Sequence, residues 1–155
     1  MSAVTAVLRS KRQQMTIMGS SGGSGTAMIS TSDSDSDRQR LLELLPRLAR
    51  LREMYLPERR YTNLVSLIEG FDLGSGGRCL GGFQDWVANK LLGHPSGLHW
   101  CYIIASRKLP ALLEGGASMA SLSAEQDEAV AMDLLRILEA FLKERVVVQA
   151  RPEHS

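Results

Sequence analysis

Apolar residues recur at three- and four-residue intervals along most of the chain after Asp37. The first run predicts a helix from Asp37 to Leu51, with Ser36 or Asp37 as its N-cap. Pro46 lies inside this run and lacks an amide proton, so we expect a kink or a break there. The predicted buried stripe consists of Leu41, Leu44, Leu45, Leu48 and Leu51.

A second helical run follows a short connector. Pro57 interrupts the period, so residues 54–57 are expected to form a packed connector with the ring of Tyr55 on the core. Thr62 is the expected N-cap of the second helix, which ends at the glycines that begin with Gly70. Its apolar stripe consists of Leu64, Leu67, Ile68 and Phe71.

Two shorter helices are expected in the middle of the chain. The third helix ends at Gly93, and its stripe consists of Leu80, Phe83, Trp86, Val87 and Leu91. Ser96 is the expected cap of a fourth helix that ends before Pro110, with Trp100 and Tyr102 on its flanking faces. The apolar run 100–105 also fits a buried strand, because short apolar runs suit either state. Residues 110–122 are expected to form a loop with a turn around Leu112.

The last run gives the clearest helix. Ser123 and Gln126 form a capping-box pattern, and acidic residues fill the first turn, where the helix dipole favours them. The apolar stripe consists of Val130, Leu134, Ile137, Leu138 and Phe141. Residues 146–148 are β-prone and extend from this helix.

These runs define the predicted organisation of the chain. Its 155 residues suit one hydrophobic core. Residues 1–36 are rich in Ser, Gly and Asp and contain too little apolar surface to offset the entropy of ordering, so a disordered tail is expected there. A single helical domain is expected over 37–148, and a flexible C-terminal tail over 149–155. The predicted fold class is all-α, a small orthogonal or irregular bundle of about five helices.

Charge is balanced overall but unevenly distributed. The formal net charge is +1, which argues against bulk binding to nucleic acid or membrane. Seven arginines and three glutamates lie between Arg38 and Arg60, whereas six acidic and two basic residues lie between Glu125 and Glu144. These two regions could attract each other, or they could present opposite charges to a partner.

Several functional classes lack a motif in this sequence. Cys79 and Cys101 are too few for a disulfide scaffold and have no metal-ligand spacing, so reduced thiols in the cytoplasm are expected. No apolar run approaches the roughly 20 residues that cross a bilayer, and the N-terminus lacks a secretory pattern. The glycine-rich segment 74–78 has no preceding strand and no following Gly-Lys-Ser/Thr. We therefore expect no cofactor, no bound metal and no membrane association.

An enzymatic interpretation depends on the histidines and cysteines. His94, His99 and His154 are scattered, and His99 could approach Cys101 or Asp85 in the fold, as a Cys–His nucleophile requires. No third, orienting residue is indicated by the sequence, and a buried cysteine in a helical core is the simpler interpretation. We expect no enzymatic activity; an enzyme would need a shaped cleft that holds at least two of Cys101, His99 and His94.

A family resemblance runs through the apolar positions. The segment 48–56 (Leu-Ala-Arg-Leu-Arg-Glu-Met-Tyr-Leu), then Ile68-Glu69-Gly70-Phe71, Phe83-Gln84-Asp85-Trp86-Val87, Trp100 and the acidic helix from Glu125 to Leu142 resemble small bacterial helical proteins with an Arg-Pro-x-Met-Tyr-Leu signature. Glu53 stands where that signature has proline, and Phe71 stands where it has tyrosine. The resemblance implies an immunity-type protein of a bacterial toxin system, and it implies no catalytic residues.

The predicted function is therefore stoichiometric binding of another protein, with toxin neutralisation as the version that the resemblance implies. The chain is expected to act as a monomer or a homodimer. The alternative is a small nucleic-acid-binding regulator that uses the arginines of 47–60 on phosphates, with Tyr55 and Tyr61 as stacking platforms. The predicted partner-binding residues are Arg50, Arg52, Arg59, Arg60, Tyr61, Glu125, Asp127, Glu128 and Asp133.

Overall fold

The computed structural model of the chain describes residues 31–149, which form five α-helices and three short 3₁₀ turns. The helices are α1 (Thr31–Arg50), α2 (Tyr61–Gly74), α3 (Phe83–Leu92), α4 (Trp100–Ala105) and α5 (Ala124–Gln149). The 3₁₀ turns are Arg52–Met54, Pro110–Leu112 and Met119–Ser121. The described residues contain no strand, so the predicted all-α fold is confirmed, and 100–105 is helix. The predicted tails lie outside the described residues over 1–30 and 150–155.

The C-terminal helix α5 is the centre of the bundle, since it packs against each of the other four helices. Its predicted capping box is present: the Ser123 N–H donates to Gln126 Oε1 at 2.9 Å, and the Gln126 N–H donates to Ser123 Oγ at 3.1 Å. The predicted stripe is buried, except that Ile137 is only partly covered. None of the helices over 31–149 has both the length and the apolar character that a bilayer crossing requires.

Helix α1 is longer and more continuous than expected. It begins at Thr31, so the last residues of the predicted disordered segment are helical, and neither Ser36 nor Asp37 is its N-cap. The Ser-Asp run tolerates this because carboxylates near a helix N-terminus are stabilised, and because Arg78 Nη2 donates to Asp37 Oδ2 at 2.7 Å. The predicted break at Pro46 is absent, because α1 packs along α5 through leucines on both sides of it.

The start of α2 depends on a distant carboxylate. Thr62 was expected to be the N-cap, but the cap position is Arg60, whose side chain makes no capping bond. Instead the Tyr61 N–H donates to Asp127 Oδ2 at 2.8 Å, so the first turn of α5 supplies an acceptor to the N-terminus of α2. The predicted stripe of α2 is confirmed, with Leu64 and Ile68 fully buried.

Helices α3 and α4 meet α5 through aromatic side chains. We call Phe83, Trp86, Trp100 and Phe141 the aromatic end of the bundle. The ring centroid of Phe83 lies 5.2 Å from that of Trp100 and 5.0 Å from that of Phe141. Trp100 is buried, contrary to its expected flanking position, and the N-cap of α4 is His99 instead of Ser96. The predicted end of α3 at Gly93 is confirmed, where glycine has a φ of 76°.

Candidate functional site

Arg52 lies at the opposite end of the bundle, on the 3₁₀ turn after α1, and its side chain is 0% exposed. Its Nη1 donates to Glu128 Oε2 at 3.1 Å, and its Nη2 donates to Glu128 Oε1 at 3.3 Å, which gives a two-pronged ion pair with α5. A guanidinium stays charged at physiological pH. Its burial here therefore depends on the Glu128 carboxylate.

The local backbone explains why this arginine turns inward. The α1 helix ends at Arg50, and Leu51 adopts a non-helical conformation with φ −126° and ψ 35°. A tight turn follows, in which the Leu56 N–H donates to the Arg52 carbonyl at 2.9 Å. This turn directs Arg52 and Leu56 into the core and leaves the residues between them outside.

A second arginine shares the same carboxylate. Arg59 Nη2 donates to Glu128 Oε1 at 3.3 Å, and its Nη1 donates to Glu53 Oε2 at 3.4 Å. We call these four residues, Arg52, Arg59, Glu53 and Glu128, the arginine end. Its two positive and two negative charges balance. The half-exposed Arg59 contributes less than the buried Arg52, because solvent screens exposed pairs.

Tyr61 connects this end to the middle of the fold. Its side chain is fully buried, and its hydroxyl donates to the Cys101 carbonyl at 2.8 Å. Burial raises the pKa of the Tyr61 phenol above its usual range, and Cys101 and Asp127 add to the effect. Tyr61 is therefore an uncharged, buried side chain that links α2 to α4 through a hydrogen bond.

The same turn that buries Arg52 exposes three large apolar side chains. Met54 keeps 74% of its surface exposed, Leu51 keeps 45% and Tyr55 keeps 40%. We call Leu51, Met54 and Tyr55 the turn surface. The expectation of a packed connector is correct for Leu56 and wrong for Met54 and Tyr55. The three residues lie within five positions of one another, and clustered exposed apolar side chains are a recognised feature of interaction sites.

Two arginines beside the turn surface have no carboxylate partner within residues 31–149. Within the described part of the chain, no acidic side chain lies within ion-pair distance of the Arg47 or Arg50 guanidinium. Arg50 lines a hollow of about 250 Å³ between α1 and α5, together with apolar residues that include Leu45 and Leu135 and with the charged residues Arg136 and Glu139. The hollow thus combines apolar walls with charged residues of both signs, and its Arg50 immediately precedes Leu51 of the turn surface.

The structure brings part of the predicted partner-binding set together. Arg52, Arg59 and Glu128 form one network, and Asp127 reaches the start of α2. The arginine-rich and acid-rich regions therefore attract each other, which was one of the two expected outcomes. Arg52 and Tyr61 are predicted partner-binding residues, but both are fully buried and so have no surface with which to contact a partner.

The remaining predicted residues lie around this network. Arg60 pairs with Glu58 at 3.6 Å and lines a hollow of about 390 Å³ with Asp127 and Glu128. Asp133 lies 3.9 Å from both Arg107 and Arg136, farther along α5. Glu125 and Arg50 are exposed. Whether these residues bind a partner stays a prediction.

A second cluster of reactive side chains lies between α2 and α4. Cys101 Sγ is 3.0 Å from His99 Nδ1, and His99 Nε2 is 3.0 Å from Glu69 Oε1. This is the Cys–His proximity considered from the sequence, with an orienting carboxylate that the sequence did not indicate. None of the three residues lines the hollows described above. His94 is exposed and its Nδ1 lies 2.9 Å from the Pro95 carbonyl oxygen, away from this cluster.

Two functional features were missed by sequence reasoning. The exposure of Met54 and Leu51 had no signal, because both continue apolar runs. The burial of Arg52 was indicated by the sequence. Leu41, Leu45, Leu48 and Arg52 follow a four-three-four spacing that places all of them on one helical face. Arg52 thus occupies an expected core position.

Comparison with known proteins found no matching family model, no matching curated protein and no matching solved structure. Across residues 31–149, no group of three or more His, Cys, Asp or Glu side chains is placed to hold a metal ion.

Proposed function

We propose that this chain is a non-enzymatic protein-binding module whose partner docks on the turn surface. The observation that carries the proposal is the exposure of Leu51, Met54 and Tyr55 on a turn whose neighbouring residue, Arg52, is fully buried. Methionine, aromatic residues and arginine are enriched at protein interfaces. The turn surface and its flanking arginines have this composition.

The rigidity of the turn supports the same proposal. Arg52 is fixed to α5 by Glu128, so the three apolar side chains project from an anchored backbone. A surface that is already ordered loses less conformational entropy on binding. The arginine end therefore acts as the support of the interface and not as its contact face.

Charge indicates the chemistry of the partner. Arg47 and Arg50 have no carboxylate partner among the described residues and flank the turn surface. A partner with acidic residues around an apolar patch would complement them and would associate faster at low salt. Toxin neutralisation in the bacterial cytoplasm is the specific version we propose, and the sequence resemblance is its support.

The nucleic-acid alternative has less support from the arrangement of the arginines. Of the arginines of 47–60 that it would use on phosphates, Arg52 and Arg59 are paired with Glu128 and Arg60 lies beside Glu58, which leaves Arg47 and Arg50 without a carboxylate among the described residues. Tyr61 is buried, which leaves Tyr55 as the one exposed tyrosine of that stretch.

Comparative affinity capture from the source cells tests the proposal. The full chain is compared with Met54→Asp and with the control Leu73→Asp, since Leu73 is an equally apolar residue that is 81% exposed on α2. We expect a protein that is retained by the wild type and the control and is lost with Met54→Asp. If that protein is a toxin, co-expression of the wild type, but not of Met54→Asp, restores growth.

Two results contradict the proposal. A partner retained equally by Met54→Asp would exclude the turn surface as the docking site. Binding of DNA or RNA in a gel-shift assay, with an affinity that falls steeply as salt rises, would favour the nucleic-acid alternative.

A further inference from the structure

The cluster of Cys101, His99 and Glu69 has a chemical capacity that protein binding does not use. His99 is the N-cap of α4, and its Nδ1 accepts from the Cys101 N–H at 3.4 Å while lying 3.0 Å from Cys101 Sγ. Its other nitrogen, Nε2, faces the Glu69 carboxylate of α2 at 3.0 Å. The hydrogen-bond network thus assigns the imidazole proton to Nε2 and leaves Nδ1 as an acceptor that the Cys101 N–H and the nearer Cys101 thiol share.

The imidazole is held from several sides. Its ring lies 5.0 Å from the ring of Trp100, centroid to centroid, in a tilted contact. Trp100 is in turn fixed, because its backbone N–H donates to Gln84 Oε1 at 2.7 Å. Base, thiol and orienting carboxylate therefore keep their relative positions without a bound ligand, which is the arrangement of an activated nucleophile.

The two cysteines of the chain differ in access. Cys101 keeps 9% of its surface exposed and borders the half-exposed His99 and Glu69, whereas Cys79 is 0% exposed. The Cys79 sulfur lies 3.3 Å from Ser75 Oγ, and no imidazole of residues 31–149 is within hydrogen-bond distance of it. Cys79 is therefore a control within the same molecule.

We propose that Cys101 is a modification site at which a low-molecular-weight disulfide exchanges with the thiol, with His99 as the proton acceptor. The Cys101 proton passes to His99 Nδ1, and the sulfur attacks one sulfur of the disulfide. The S–S bond of the reagent breaks as the new S–S bond forms, and the departing thiolate takes the proton back from His99. Cys101 is oxidised to a mixed disulfide, and half of the reagent is reduced to a thiol.

Exchange fits this cluster better than acyl transfer does. Disulfide exchange needs a thiolate and access to it, whereas acyl transfer also needs donors that stabilise an oxyanion. Burial raises the pKa of the Cys101 thiol to about 11, and the Glu69 carboxylate adds to the rise. The thiol is therefore protonated at neutral pH, so the adjacent base is what allows it to react there.

The test uses the full chain with oxidised glutathione and, separately, with the aromatic disulfide DTNB, at about pH 7. Intact mass and peptide mapping give the rate at each cysteine. We expect modification at Cys101 and not at Cys79. We expect His99→Asn to lower the rate by roughly 100-fold or more, because asparagine caps helices well but is not a base. The variant should react well only as the pH approaches the thiol pKa of about 11.

Reaction through unfolding is distinguished by sub-denaturing urea. A native thiol reacts at a rate that urea leaves unchanged, whereas a thiol exposed by opening reacts faster as urea rises. If His99→Asn folds poorly, the urea dependence of the wild-type rate still shows whether Cys101 reacts in the native state. Equal rates at Cys79 and Cys101, an unchanged rate in a folded His99→Asn, or acceleration by urea would each overturn the proposal.

Discussion

At the aromatic end, α3, α4 and α5 meet through four rings, whereas at the arginine end α5 meets the turn after α1 through one guanidinium on a carboxylate. Ring contacts are apolar, and their stability depends mainly on the area removed from water. The buried Arg52 depends on Glu128, because without that carboxylate it would be a buried charge with no counterpart, whereas Glu128 is partly exposed and also pairs with Arg59. Removing a side chain should therefore leave a void at one end and an unpaired charge at the other.

The largest effect is expected at the aromatic end. Phe83 is fully buried among Trp86, Trp100 and Phe141, so Phe83→Ala removes buried apolar area and leaves a cavity. We expect a loss of about 3–5 kcal/mol in the free energy of unfolding, measured by urea denaturation. The control is Tyr102→Ala, an aromatic residue of α4 that keeps 37% of its surface exposed, which should cost clearly less than Phe83→Ala. Similar losses for the two variants would contradict the ring cluster as the core of this end.

The next largest effect is expected from Glu128→Ala. It leaves the buried Arg52 without a carboxylate, and we expect a loss of about 2–4 kcal/mol, toward the lower limit because Glu128 is itself partly exposed. The matched control is Glu125→Ala, on the same helix one turn earlier, which should cost no more than about 1 kcal/mol. Equal urea midpoints for the two variants would show that Arg52 finds another acceptor or reaches solvent.

The two ends also differ in how far the sequence predicts them. Phe83, Trp86 and Phe141 lie on apolar stripes, and large rings at helical spacing are core residues in almost any helical fold. The sequence therefore predicted most of this end, apart from the burial of Trp100. The helix boundaries at Gly93 and Ser123 were also predictable, because glycine and the capping box act through local backbone chemistry.

For the arginine end, the sequence predicted the attraction between the two charged regions but not which residues pair. The excess of arginine in one region and of acid in another predicted an attraction, but pattern alone assigns arginine to the surface. The partner of Arg52 lies 76 residues away in sequence, and no local rule selects Glu128 over Glu125. The same holds for Asp127 at the start of α2 and for Glu69 beside His99, because both contacts exist only once helices have packed.

A smaller effect on stability is expected at the N-terminus of α5, the helix that contributes residues to both the arginine end and the aromatic end. Ser123→Ala removes one half of the capping box, and we expect a loss of about 1 kcal/mol, with faster amide hydrogen exchange at Gln126, whose N–H loses its acceptor. The effect should stay in the first turn and not reach the aromatic end. Ser66→Ala is the control: Ser66 is exposed within α2 and only bonds back to the Thr62 carbonyl, so its removal should be near neutral. Exchange that accelerates throughout α5 would show that the cap controls the whole helix.

The smallest effect on stability is expected at the turn surface, where the effect on binding should be large. Met54 is mostly exposed, so Met54→Ala should change the free energy of unfolding by less than about 0.5 kcal/mol. If Met54 is a central contact of the interface, the same change should weaken partner binding by about 2 kcal/mol, or about thirtyfold in Kd. Glu128→Ala acts on the support instead, so its main effect should be a loss of folding stability, with a smaller loss of binding because the turn is less ordered before the partner docks. Urea denaturation and calorimetry with the captured partner, applied to both variants, distinguish a residue that contacts the partner from one that only stabilises the turn. A Met54→Ala protein that binds as tightly as the wild type would show that the turn surface is not the docking site.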